Sequence, residues 1–248
     1  MYEKTGDVKK LRGGVRAVIA CIIAFSVIFT QIKVEAFADT VADVQYYDRD
    51  EKEIKTVSAE AVRDTMTTWG DGSSDTNPKW YVVKEAVTIN DRITVTGNVH
   101  LILADNAILT AEKGIDVSAG NSLTIYAQRD MVTENTGKIE AEAKDDNAGI
   151  GGNKDKDGGT ITITGGDVKA SSRFGAGIGG GSDGAGGSIK ITGGEVDANS
   201  DDSGAGIGGG AYAAGGNIEI TGGDVLARSR SGAGIGGGKG RAGGGIKS

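Results

Sequence analysis

A block of about 28 residues recurs three times in the second half of the chain. The T-G-G triplets begin 28 and 29 residues apart, at Thr164, Thr192 and Thr221. Each unit also contains the seven letters GAGIGGG, which start at Gly175, Gly204 and Gly232. A fixed period of this length is the signature of a solenoid, in which each repeat forms one coil that stacks on its neighbours.

Within each repeat, apolar residues alternate with polar residues or glycine in three short segments. In the first repeat the alternating apolar positions are Ile161 and Ile163, Val168 and Ala170, and Ala176 and Ile178. Strict alternation indicates a β-strand, and glycine strongly disfavours a helix. Three short strands per unit predict an all-β parallel β-helix. Its internal ladders would be Ile161, Ile189, Ile218; Ile163, Ile191, Ile220; Val168, Val196, Val225; and Ile178, Ile207, Ile235.

The repeat pattern divides the chain into regions. Residues 158–248 hold the regular glycine-rich repeats, which stop in the middle of a unit, so we expect a truncated part of a longer array. Residues 91–157 carry the three-strand pattern in a less regular form, with Leu101, Ile108 and Ile115 as markers of one coil. The pattern as a whole predicts five to six coils.

Residues 39–90 are predicted to form a small α/β cap at the N-terminal end. Val44–Asp48 and Glu53–Thr56 flank a charged turn, which is the pattern of a β-hairpin. A short helix is predicted to follow from Ser58. Its apolar side would be formed by Val62, Met66 and Trp69.

Residues 1–38 have the organisation of an export signal peptide. Basic residues precede an apolar run, Ala17–Thr30, that is too short to span a bilayer comfortably. Ala36-Phe37-Ala38 fits the small-x-small cleavage rule and would make Asp39 the new N terminus. We expect a secreted, extracellular protein without membrane insertion after cleavage, attached to the cell surface through a missing C-terminal region or not at all. An uncleaved anchor is the alternative.

The acidic balance of the chain limits its partners. Residues 1–38 contain six basic and three acidic residues, which leaves 21 basic and 31 acidic residues and a net charge of −10. Nucleic acid and anionic membrane need basic patches, so neither is an expected partner. The one cysteine, Cys21, lies in the predicted signal peptide. The exported chain must therefore be held together by packing and backbone pairing, without disulfides.

The letters GAGIGGG also satisfy the G-x-G-x-x-G pattern of a dinucleotide-binding loop. That loop occurs once, between a strand and a helix. Here the motif recurs at the repeat period, and the residues that follow it, SDGAGG in the first unit, do not favour a helix. The motif is therefore interpreted as part of the architecture, and no nucleotide is expected.

Two outward ladders are the candidate binding faces. The first is acidic and would place carboxylates about 5 Å apart in successive coils, at Asp167, Glu195 and Asp224. The second is a column of hydroxyl groups at Thr164, Thr192 and Thr221. The acidic ladder could bind calcium or raise the pKa of a carboxyl group. The alternative is a solvent-exposed corner whose carboxylates pair with Lys or Arg, and we favour this interpretation.

One stretch partly matches a calcium-binding loop. Asn153, Asp155 and Asp157 have the spacing of its first oxygen ligands, but Thr164 stands at position twelve, where a bidentate Glu is expected. A solvated charged corner is the favoured interpretation, and no cofactor is expected.

No catalytic residue is predicted. His100 is the only histidine, and its position in Val99–Leu103 points it outward, without a nucleophile elbow to complete a triad. Aromatic rings that could stack on sugars are limited in the repeats to Phe174 and Tyr212, because packing accounts for the tryptophans of the cap.

The blocks HLILAD, LTIYAQ and GAGIGGG, together with GGTITITGG units, resemble a group of surface proteins of Gram-positive, largely gut-dwelling bacteria. The resemblance covers about Tyr46 to Lys247. These proteins are described as β-helical, carbohydrate-binding-like or adhesin-like. The resemblance implies a right-handed parallel β-helix at the cell surface and transfers no catalytic residue.

Two functions follow from these observations. The favoured one is a non-enzymatic secreted or cell-surface stalk with an adhesin-like display surface, whose partner is a glycan or a host or cell-wall component. The alternative is a carbohydrate-binding module or a polysaccharide lyase or hydrolase that uses the acidic ladder.

Overall fold

The computed structural model describes residues 39–72 and 77–247. The predicted signal peptide lies outside the described residues. A compact unit begins at Thr40. Within the described residues all regular structure is β, arranged in sheets of nine, six and seven strands, and no α-helix is present. The α/β character predicted for the cap is therefore wrong.

The three sheets form the three faces of a solenoid. Sheet 1 consists of β1 (Thr40–Asp48), β2 (Glu53–Ala61), β4 (Lys79–Val83), β7 (Asn98–Leu103), β10 (Ser122–Ala127), β13 (Thr160–Ile163), β16 (Ser188–Ile191), β19 (Asn217–Ile220) and β22 (Gly245–Lys247). Sheet 2 consists of β5 (Ala86–Ile89), β8 (Ile108–Ala111), β11 (Lys138–Ala143), β14 (Asp167–Ser172), β17 (Glu195–Ser200) and β20 (Asp224–Ser229). Sheet 3 consists of β3 (Thr68–Gly70), β6 (Ile93–Thr96), β9 (Ile115–Asp116), β12 (Ile150–Gly151), β15 (Ile178–Gly179), β18 (Ile207–Gly208) and β21 (Ile235–Gly236).

The chain visits sheets 1, 2 and 3 in that order in every coil. The first coil runs from β4 to β6 and the sixth from β19 to β21. Equivalent strands of neighbouring coils pair in parallel. The prediction of a parallel β-helix of five to six coils with three short strands each is therefore confirmed.

The internal ladders have the predicted register. Ile161 pairs with Ile189 and Ile189 with Ile218, and all three are buried. In the second coil the register differs from the prediction by one residue. Leu109 pairs with the buried Ile139, whereas Ile108 pairs with Lys138 and is exposed. The side-chain period of two places Leu109 inside, and a one-residue shift turns Ile108 outward.

The helix predicted to follow Ser58 is absent. β2 continues to Ala61, and β3 pairs in parallel with β6, with Trp69 opposite Val95. Trp69 is fully buried, and its ring stacks on Tyr81 with 5.9 Å between centroids. The apolar residues that resemble one side of a helix instead reach the end of the core separately: Val62 directly follows β2, Met66 lies in the connecting loop, and Trp69 is in β3.

The antiparallel hairpin of β1 and β2 folds over the outer face of sheet 1. A second small core lies between them, formed by Val44, Tyr46, Ala59, Val82 and Ile102. At the tip, Arg49 Nε donates to the carbonyl oxygen of Thr164 at 2.9 Å. The Arg49 guanidinium also pairs with Asp130 Oδ1 at 2.8 Å. The hairpin therefore spans the sheet from the first coil to the fourth.

Candidate binding faces

The GAGIGGG segments form sheet 3 and the corner that precedes it. In the fourth coil, the amides of Gly177, Ile178 and Gly180 donate to carbonyl groups of the fifth coil. Gly179 has a φ of 136°, and a Cβ there would overlap the carbonyl oxygen of Gly208. A phosphate loop needs free N–H groups and a helix after them. Here the N–H groups are used in coil stacking and the next element is a strand, so the motif is architectural.

The acidic ladder is in register at the first position of its strands. Asp167 pairs with Glu195, and Glu195 with Asp224. Lys138 occupies the same position in the third coil, with its Nζ 3.0 Å from Oδ2 of Asp167. The hydrogen bond that Lys138 donates to Asp167 raises the pKa of Lys138. Asp167 is buried and paired, so the solvent-exposed carboxylates of this column are those of Glu195 and Asp224.

The threonines of the hydroxyl column are less exposed to solvent than their outward position in the alternating pattern predicts. Thr164 and Thr192 are half-buried and Thr221 is exposed. The hydroxyl of Thr164 donates to the carbonyl of Ile125 at 3.0 Å, and the Thr192 hydroxyl oxygen is buried without a hydrogen-bond partner. Arg49 of the hairpin tip lies against this corner. Of the three threonines predicted to face outward, Thr221 is therefore the one that is exposed to solvent.

The three residues of the candidate calcium loop face different partners. The side-chain oxygen of Asn153 accepts from Arg92 Nε at 2.6 Å, and Asp157 Oδ1 accepts from the amide of Ala185 at 2.7 Å. Asp155 lies at a turn with a φ of 61°. In the part of the chain that the structure describes, no group of three or more His, Cys, Asp or Glu residues is placed to hold a metal ion.

An aromatic cluster that sequence reasoning missed lies beneath the hairpin. Trp80, His100 and Tyr126 project from the outer face of sheet 1, with 4.4 Å between the Trp80 and His100 centroids. Tyr46 covers them, 4.9 Å from Tyr126. Tyr126 Oη lies 3.2 Å from His100 Nδ1. His100 has the predicted outward parity, but its ring belongs to this packing. The alternation of residues in Val44–Asp48 was the signal in the sequence that one face of the hairpin is covered.

The two aromatic residues of the repeats are isolated. Tyr212 is exposed at a corner with a φ of 58°. Phe174 is half-buried, and the guanidinium of Arg173 lies 4.7 Å from its ring centroid. Neither ring has an aromatic equivalent in the adjacent coils, so they form no continuous stacking platform.

A charged groove, which the sequence did not predict, runs where the strands of sheet 2 end. It consists of two depressions of about 360 and about 450 Å³ that share Lys144. We call it the sheet 2 groove. Its charged and polar lining residues are Asn90, Glu112, Lys113, Glu142, Lys144, Asp145, Ser171, Arg173, Asp201, Asp202 and Arg230.

Comparison with known proteins agrees with this architecture. A family model described as a beta helix repeat matches residues 161–182, 189–211 and 218–239. Each match runs through the three strands of one coil, in the fourth, fifth and sixth coils. These three coils are therefore β-helix repeats, and the solenoid topology extends the same architecture to the first three coils. Comparisons with curated proteins and with solved structures gave no significant match.

Between residues 39 and 247, with the gap at 73–76, no helix has the length and apolar character needed to cross a bilayer.

Proposed function

We propose that this chain is an exported, non-enzymatic β-helical stalk that displays regular ladders of side chains to a glycan or to a host or cell-wall surface. The observation that carries the proposal is the in-register stacking of six coils. Stacked coils present outward side chains at a repeat of about 4.8 Å on each face. Such an extended repeating surface suits contact with an extended partner.

The position of the compact unit supports export. Cleavage after Ala38 would leave Asp39 as the first residue, and the compact unit begins at Thr40. Cleavage would therefore leave all the described strands of the solenoid in the mature chain. The described residues contain no cysteine, which is compatible with folding in any redox environment.

Secretion of the full chain from a Gram-positive host tests the export step. We expect the protein in the medium or on the cell surface, with Asp39 as its first residue by N-terminal sequencing. An Ala38→Leu variant breaks the small-x-small rule and should accumulate uncleaved. Full-length wild-type protein retained inside the cell would contradict export.

A polysaccharide-degradation screen tests the non-enzymatic part. Purified residues 39–248 should release no reducing ends or unsaturated products from a panel of plant, bacterial and host glycans. Degradation by the wild type that disappears in an Asp167→Ala/Glu195→Ala/Asp224→Ala variant would replace the stalk by a carbohydrate-active enzyme.

A further inference from the structure

We propose that the β1–β2 hairpin is a strap that makes the first five coils of the solenoid unfold as one cooperative unit. In a solenoid each coil contacts only its neighbours, so a group of coils can open while the others remain folded. An element that contacts several coils at once opposes such separate opening. This role is mechanical and internal to the fold, and it stands whether or not the chain acts as a stalk.

The backbone of the hairpin is attached to the solenoid at the first coil. Within the described residues, β2 pairs with β4 at two positions, Glu60 with Tyr81 and Ala61 with Val82. β1 pairs with β2 and lies at the edge of sheet 1. The contacts of the hairpin with the later coils are therefore made by its side chains.

The inner face of the hairpin covers outward side chains of the first three coils. Tyr46 is buried, and its ring centroid lies 4.9 Å from that of Trp80 in the first coil and 4.9 Å from that of Tyr126 in the third. Ile102 of the second coil is buried in the same small core. Opening any one of these coils would expose apolar surface that the hairpin shares with the other two, which links their stabilities.

Arg49, at the hairpin tip, extends the strap to the third, fourth and fifth coils. Its guanidinium donates to the carbonyl oxygens of Asp130 at 3.0 Å and Thr164 at 2.9 Å, and it pairs with the Asp130 carboxylate at 2.8 Å. Asp130 follows β10 in the third coil, and Thr164 follows β13 in the fourth. The guanidinium also lies against Gly193 in the fifth coil, where a Cβ would overlap it. The five donors of one guanidinium allow a single side chain to bind all these acceptors.

A purely local role for Arg49 is the alternative to a strap. Exposed ion pairs contribute little to stability, and the pair between Arg49 and Asp130 is partly exposed. If Arg49 only fixed the hairpin tip, its loss would change the stability of all coils alike or not at all. A strap predicts instead that its loss separates the coils into two groups, those under the body of the hairpin and those held through Arg49.

Native-state hydrogen exchange of the full chain, followed strand by strand at increasing urea concentration, distinguishes the two roles. The first variant is Arg49→Gln. The second, Gly193→Ala, displaces the guanidinium from the coil side and leaves the hairpin unchanged, at a glycine whose φ is not positive. The control is Arg228→Gln, which removes an exposed ion pair with Asp197 between two neighbouring coils. Matching far-UV circular dichroism of the four proteins verifies that each is folded.

In the wild type, we expect the core amides of β7 and β10 to exchange through the same opening as those of β13 and β16. In both test variants the amides of β13 and β16 should exchange about tenfold faster, because charge-assisted contacts with two coils and the packing on a third are lost. Exchange in β7 and β10 should change by less than about threefold, because the body of the hairpin still covers these coils. In the control variant the two groups should remain together.

Separate openings of the two groups in the wild type would overturn the proposal. So would a test variant in which both groups are accelerated equally, or in which neither is accelerated. The same separation in the Arg228 control would also overturn it, because any exposed arginine would then have the effect assigned to the hairpin tip.

Discussion

The irregular coils before residue 158 and the regular coils after it follow the same path but stabilise it differently. The irregular coils place leucines in the core, including Leu101, Leu103, Leu109 and Leu123. In the regular coils the single leucine, Leu226, is exposed, and the described interior consists of isoleucine, valine, alanine and small polar residues. Fewer kinds of side chain fill the core of the regular coils, because equivalent positions of successive coils hold the same residue.

The corners show the difference most clearly. Before the repeats, the Arg92 guanidinium donates to the carbonyls of Lys113 at 2.7 Å, Ala148 at 2.9 Å and Gly151 at 3.2 Å. In the repeats, backbone amides of one coil donate to carbonyls of the next. The short hydroxyl side chains of Ser200 and Ser229 donate to the carbonyls of Gly175 and Gly204, at 3.0 and 2.6 Å. Buried carbonyl groups need donors in both regions. Both regions use backbone amides of adjacent coils for this. The irregular region adds the long side chain of Arg92, whereas the repeats add closely packed glycine backbone and serine hydroxyls.

The largest effect should come from adding one methyl group to a repeat corner. Gly179→Ala combines a φ of 136° with overlap between the new Cβ and the Gly208 carbonyl. We expect a loss of at least about 3 kcal/mol in the free energy of unfolding, measured by urea denaturation.

A glycine of the irregular region is the matched control for this substitution. Gly120 has a φ of 92°, but a Cβ there would have no atom within 4 Å. Gly120→Ala should cost only about 1 kcal/mol, because it adds backbone strain without overlap. Equal losses for the two variants would show that backbone strain alone, rather than coil contact, requires glycine.

An intermediate effect is expected from the side chain that closes an irregular corner. Burial lowers the pKa of Arg92 to about 10, although Asp116 and Asp145 oppose this shift, so the group is charged at neutral pH. Arg92→Gln removes donors from several buried carbonyls, and we expect a loss of about 2–3 kcal/mol by thermal or urea unfolding. Arg63→Gln, at a side chain 3.7 Å from Glu60, is the control and should change stability by less than about 0.5 kcal/mol.

A smaller difference in stability between the two regions should appear at alkaline pH. Burial raises the pKa values of Tyr46, Tyr81 and Tyr126, all of which lie before the regular repeats. The unfolded chain releases these phenolic protons near pH 10, before the folded chain does, so their contribution is present below about pH 10 and is lost as the pH rises further. Near-UV circular dichroism of the aromatic cluster should therefore change before the far-UV β signal. A Tyr126→Phe variant should move this change to higher pH, and simultaneous loss of both signals would contradict the distinction.

The smallest effect is expected on the outer face of the repeats. The Arg228 guanidinium pairs with both carboxylate oxygens of Asp197, at 2.8 and 2.9 Å, in an exposed position. Arg228→Gln should cost less than about 1 kcal/mol by urea denaturation. A larger loss would mean that exposed ion pairs stabilise the regular coils as much as the glycine corners do.

The repeat made the architecture predictable and left the binding surfaces undetermined. Ile161, Ile189 and Ile218 share a position in a fixed period, so their stacking follows from the period and from side-chain alternation. No comparable rule covers a segment that occurs once. Helical spacing of Val62, Met66 and Trp69 therefore predicted a helix where tertiary packing at the end of the core favours strands.

The candidate sites were harder to predict for the same reason. Stacking of Asp167, Glu195 and Asp224 followed from the period, but the ion pair with Lys138 depends on the irregular third coil. The covering of Thr164 depends on Arg49, which is distant in sequence. The sheet 2 groove depends on residues just beyond the strands, where the repeats differ most in sequence.

Hydrogen exchange of the corner amides tests most directly whether glycine-rich corners are held by backbone pairing between coils. In the fourth coil, the amides of Gly177, Ile178 and Gly180 donate to carbonyl groups of the fifth coil. In the fifth coil, the amides of Gly206, Ile207 and Gly209 donate to carbonyl groups of the sixth. We predict that these amides exchange as slowly as those of the core strands β13 and β16, through global unfolding alone. Exchange at the rate of an unstructured peptide in these glycine segments, with the strand amides still protected, would contradict the account.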